Sequence, residues 1–128
     1  VTGLGFTPTA NARYLVQVFG TAYSSATTNG MGLGFDCGNA TAVGITTTTR
    51  GGTQASTTVF NGDGSAGAAP AVGSSGVLDT NRAPFSAWVM FTAAASPTAV
   101  SFLVRSEEAA SATTTIKTGE AVMLVSKL

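Results

Sequence analysis

Arg13-Tyr14-Leu15-Val16-Gln17-Val18-Phe19-Gly20 is the stretch whose reading decides the class of fold. Successive side chains of an extended chain point to opposite faces. Tyr14, Val16 and Val18 therefore share one face, and Leu15, Gln17 and Phe19 the other. Both sets are largely apolar, which predicts a strand covered on both sides. Phe85-Ser86-Ala87-Trp88-Val89-Met90-Phe91-Thr92-Ala93 repeats the pattern, with Phe85, Ala87, Val89 and Phe91 on one side and Trp88 and Met90 on the other.

Working outward, residues 30–37 alternate Met31, Leu33, Phe35 and Cys37 with Gly32, Gly34 and Asp36. Glycine at alternate positions implies close packing over that face, against a neighbouring subunit, or a bend near a barrel corner. Residues 42–49 and 53–60 read as two Thr-rich strands joined by a turn at Arg50-Gly51-Gly52. Residues 61–76 read as a long Gly/Ala/Ser loop, a length that marks mobility, function or a partner contact. Residues 99–105 form a further strand after a turn at 95–98. Residues 112–118 and 120–127 close the chain around Gly119. The Ala-rich pieces are short and broken by Gly or Pro, so no helix is expected. The expected fold is all-β: an antiparallel β-sandwich or jelly-roll-like single domain, 1–128, of eight or nine short strands.

Composition supports an ordered but unusual surface. Thr, Ala, Gly and Ser supply 70 of 128 residues, and only 9% are charged, against roughly 25% in ordinary proteins. Net charge is zero and mean hydropathy is +0.31, the reverse of a disordered composition. A surface this poor in charge suits burial against sister subunits or a rigid extracellular particle.

Several function classes fall away. Six scattered basic residues in a neutral chain form no footprint for nucleic acid. With no His, there is neither a Ser-His or Cys-His pair nor an imidazole metal ligand. One Cys makes no internal disulfide, and as the end of an apolar stripe Cys37 reads as a small hydrophobe. No apolar run approaches the ~20 residues of a membrane helix, so no membrane insertion is expected. The sequence begins at Val1 with no basic segment ahead of an apolar stretch, and reads as an excised or processed piece of something longer.

Glu107 and Glu108 are adjacent, so on an extended chain they diverge and make no acid/base pair. Asn61-Gly62-Asp63-Gly64-Ser65 alternates oxygen-bearing side chains as calcium loops do, but Val72 stands where the bidentate Glu would be. Gly30-Met31-Gly32-Leu33-Gly34 lacks the following helix of a dinucleotide site. No cofactor or metal is expected. Asp79, Asn81 and Arg82, before the Pro84-Phe85 strand entry, can bind a sugar or cap a turn, and Arg82 and Arg105 can pair with carboxylates across a subunit boundary. Trp88, the only Trp, reads as packed in the core or at an interface; exposed, it would stack a sugar. Asp63, Asp79, Asn81, Arg82 and Trp88 are the candidate receptor-contact or interface residues.

The opening, Gly3-Leu4-Gly5-Phe6-Thr7-Pro8-Thr9-Ala10-Asn11-Ala12-Arg13-Tyr14-Leu15-Val16, resembles C-terminal domains of tailed-bacteriophage fibre and related virion proteins. So does the end: Phe102-Leu103-Val104, then Arg105-Ser106-Glu107, a Thr-rich stretch with Ile116 and Lys117, Gly119 and a terminal apolar strand. The chain departs from the pattern at Glu120-Ala121-Val122, where a small residue and Leu are usual. The resemblance extends through Trp88–Pro97, whereas residues 37–84 match only in low-complexity character. It implies a compact β head on the virion surface, trimeric, without catalytic residues, that attaches to a host-surface glycan or protein and contacts other virion proteins. Two alternatives stay open. One is a structural capsid-decoration or fibre-attachment module. The other is a small extracellular carbohydrate-binding domain, which needs an exposed aromatic from Trp88, Tyr14 or Tyr23. A glycan depolymerase or esterase would need paired acids or an activated nucleophile in a cleft.

Overall fold

The computed structural model describes residues 4–24, 31–49, 71–72, 83–106, 114–117 and 119–128. They form two antiparallel sheets and no helix. The strands are β1 (Gly5–Phe6), β2 (Arg13–Ser24), β3 (Met31–Asp36), β4 (Thr41–Thr49), β5 (Ala71–Val72), β6 (Ala83–Thr92), β7 (Val100–Ser106), β8 (Thr114–Thr115) and β9 (Ala121–Lys127). Six of these carry the sheets, fewer than the eight or nine expected; β1, β5 and β8 are pairings of two residues each. The first sheet runs β1-β7-β3-β5 and the second β4-β6-β2, with β8 and β9 both paired to β2 beyond it.

Two neighbours sandwich β2, which explains why the longest strand lies there. Residues Arg13–Ala22 pair with β6, Tyr14–Gly20 pair with β9, and Tyr23–Ser24 pair with β8. The pairs β1·β7, β2·β6 and β3·β5 nest inside one another around β4. Successive nested pairs lie in alternate sheets.

Alternation sorts the side chains as the period-2 rule demands. Tyr14, Val16, Val18 and Ala22 of β2 and Phe85, Ala87, Val89 and Phe91 of β6 are buried. They form one core with Leu33, Phe35 and Cys37 from the β3 stripe and Val100 and Phe102 from β7. Two aromatic groups tie the sheets together. Phe85 of β6 stacks on Phe102 of β7 with centroids 5.7 Å apart, and Phe102 meets Phe35 edge-on at 5.3 Å. Phe6 of β1 meets Tyr14 edge-on at 5.4 Å, and Tyr14 stacks on Phe91 at 5.6 Å. Such pairs add about 0.5–1.5 kcal/mol each beyond the area they bury. The Tyr14 hydroxyl accepts a 2.9 Å hydrogen bond from the Thr9 backbone N–H. Hydrogen bonding to Thr9 is also the main cause that lowers the Tyr14 pKa.

Two expectations need correction. β2 is covered on one face only: Leu15 and Gln17 are half-buried and Phe19 is exposed, because no other element of the described chain packs over that side. The stretch 61–76 is not loop throughout, since Ala71 and Val72 pair with Leu33 and Gly32. The free edge of β3 imposes that pairing, which local composition does not announce. The strand expected at 53–60 lies outside the described residues.

Candidate functional site

The outward side of the second sheet is the feature that the fold leaves unexplained. Directly opposed residues of an antiparallel pair project to the same side, so the registers assemble it row by row. One row is Val122, Phe19, Ser86; the next is Leu124, Gln17, Trp88; the third is Ser126, Leu15, Met90. None of these nine carries a charge. Five are large apolar side chains left open: Trp88 is 41% exposed, Phe19 39%, Met90 38%, Val122 56% and Leu124 48%. Phe19 meets Trp88 edge-on with centroids 6.2 Å apart, a diagonal contact between β2 and β6. Charge appears at the end of the face, where Arg13 Nη2 lies 3.2 Å from Met90 Sδ.

Beside Trp88 the face dips. The register of β4 against β6 slips between Thr41 and Gly44, so one extra residue is accommodated there as a bulge. Gly44 then stands opposite Met90, and nothing lies within 4 Å of where its Cβ would be. The result is a shallow groove of about 310 Å³ lined by Leu15, Gly44, Trp88, Val89 and Met90.

A polar cluster secures β9 at one end of this face. The Thr21 hydroxyl donates to Glu120 Oε2 at 3.0 Å and the Tyr23 hydroxyl to Glu120 Oε1 at 3.3 Å. Lys117 Nζ stands 4.5 Å from the centre of the Tyr23 ring, and the Thr21 backbone N–H donates to the Glu120 carbonyl at 3.0 Å. Gly119, at φ +82°, makes the turn into β9 where the sequence places it.

Of the five candidate receptor-contact or interface residues, only Trp88 belongs to the described part of the chain. Asp63, Asp79, Asn81 and Arg82 lie outside it, as do Glu107, Glu108 and Asn61–Ser65. Trp88 is not in the core: its strand neighbours Ala87 and Val89 are fully buried, and alternation turns the indole the other way. Tyr14, the second candidate for an aromatic platform, is buried in the core. Tyr23, the third, is half-buried with Lys117 over its ring. Sequence reasoning missed Phe19, Met90, Val122 and Leu124 as site residues. For Phe19 and Met90 the signal was their place on the second face of alternating strands, which in β2 reads as covered; Val122 and Leu124 join that face only through the β2·β9 register.

Cys37 is a buried thiol whose pKa is pushed up to about 12, first by burial and then by the neighbouring Asp36 carboxylate. It is neutral at physiological pH and not a nucleophile in the folded protein. Asp36 itself accepts a 2.9 Å hydrogen bond from the Gly38 N–H. Among the described residues no three His, Cys, Asp or Glu side chains gather to hold a metal ion. Comparison with known proteins returned no matching family model, no matching curated protein and no matching solved structure.

Proposed function

We propose that this domain is a non-enzymatic head or surface module of a bacteriophage virion, assembled as a trimer and serving attachment to the host surface. The observation that carries the reading is the apolar side of the second sheet, free of charge at its centre on Trp88 and Phe19. Exposed apolar patches of several hundred Å² mark contact surfaces, and a face whose polar groups at its centre are only Gln17, Ser86, Ser126 and the Trp88 indole N–H suits contact more than acid/base chemistry. The nested pairings β1·β7, β2·β6 and β3·β5, alternating between sheets, support a jelly-roll wound from one long antiparallel ribbon. The resemblance of the two chain ends to phage fibre domains supplies the virion context.

The exposure of Trp88 gives a second reading some support: a small extracellular carbohydrate-binding domain with the indole as its stacking surface. A glycan array probed with the 128-residue chain, beside sedimentation velocity, separates the readings. Trimers that bind a bacterial surface glycan are expected for an attachment head. Trimers without binding fit both a structural virion module and a head whose receptor is a protein, and a glycan-binding monomer contradicts the trimeric head.

A further inference from the structure

We infer that the outward face of the β6-β2-β9 sheet is where copies of this chain meet, so that Trp88 serves assembly and not adhesion. The inference rests on the oligomeric reading above and assigns a surface to it. The exposed parts of Phe19, Trp88, Met90, Val122 and Leu124 sum to on the order of 400 Å² of apolar surface. That is about half of the roughly 800 Å² each partner contributes to a standard interface, before Gln17, Ser86 and Ser126 are added.

Three features favour a second copy over a foreign partner or a sugar. The centre of the face is aromatic, Met-bearing and free of charge, with Arg13 at its end. That is the distribution of homo-oligomer interfaces, whose cores are apolar and depleted of charge. A sugar site needs several convergent hydrogen-bonding side chains around its aromatic platform, whereas the groove beside Trp88 is lined by Leu15, Gly44, Val89 and Met90. Zero net charge lets identical copies approach without repulsion. Around a three-fold axis the contacts are heterologous, and a face turned toward the axis meets one neighbour with each of its two halves, so one apolar face per copy suffices. Leu128, exposed just past β9 where its N–H donates to the Arg13 carbonyl, extends the same face; Val125 stands opposite buried Val16 and belongs to the other side.

The test uses Trp88 as a built-in reporter, since it is the only Trp. Sedimentation velocity of the 128-residue chain is paired with acrylamide quenching of its fluorescence. Leu124→Lys and Val122→Lys place charge at exposed positions that folding tolerates, and Ala95→Lys, in the exposed turn after β6, is the control. The expected result is an oligomer with Trp88 shielded. Both face variants should weaken association by about tenfold or more with unchanged circular dichroism and Tm, and the control should behave as the parent. An oligomer in which Trp88 stays freely quenchable and Leu124→Lys changes nothing overturns this inference and leaves the trimeric head standing. Shielding of a monomer's Trp88 only on addition of soluble bacterial polysaccharide overturns it in favour of a ligand platform. A monomer at every micromolar concentration overturns the oligomeric reading itself.

Discussion

Gly38 has φ +57°, and a Cβ on it would run into the Thr98 side chain. Thr98 cannot give way cheaply, because its N–H donates to Asn39 Oδ1 at 3.1 Å and its Oγ1 accepts from the Asn39 N–H at 3.2 Å. Gly38→Ala is expected to destabilise the fold by about 1–3 kcal/mol, measured by urea denaturation. The adjacent Cys37 makes a pH prediction. Its folded pKa of about 12 lies above the ordinary 9.0. The unfolded chain therefore loses the thiol proton first, and stability falls as pH rises from about 9 towards 12. Chemical denaturation across that window should show a smaller alkaline loss in Cys37→Ala than in the parent, and equal losses would contradict the assignment. At neutral pH, Ellman's reagent should react with Cys37 at the rate of unfolding.

At the scale of elements, β9 is held by its ladder to β2 and by Glu120. Its own apolar residues contribute little to the core: Ala121 and Met123 only pack against its margin. Hydrogen bonds to a charged acceptor are each worth about 1.5–3 kcal/mol when buried, and less at this half-buried site. Glu120→Ala should therefore cost about 1–2 kcal/mol and raise amide exchange in Ala121–Lys127 ahead of β2 and β6. Uniform exchange across all three strands would contradict a separate latch. The strands themselves were legible where alternation was strong. β2 and β6 show the predicted inward sets, since Val16, Val18, Ala87 and Val89 are fully buried. Alternation assigns residues to faces without saying which faces are covered. For that reason alternation reads Leu15 and Phe19 as covered, assigns Met90 to a face without saying what lies over it, and leaves Trp88 between core and interface. Nor was the two-residue β5 legible, because the edge of β3 creates it. Trp88 was noticed for its rarity; its companions Val122 and Leu124 join it only through the β2·β9 register, a contact between residues far apart in the chain.

For the whole molecule, one core joins both sheets through Phe85, Phe102 and Phe35. Phe102→Ala is expected to cost about 3–5 kcal/mol, read from thermal or urea unfolding. It should abolish cooperative folding if the core is as marginal as in most domains of this size. The surface is the less ordinary part. Seventy of 128 residues are Thr, Ala, Gly or Ser, and most of the large apolar side chains exposed among the described residues gather on one side of one sheet. Apolar side chains placed there add nothing to the core of the single chain, and burial by identical copies, as proposed above, would account for them. Sedimentation equilibrium of the unmodified chain tests this most directly. The account predicts a species of three times the 12.7 kDa chain mass; a species of one chain mass throughout the micromolar range would contradict it.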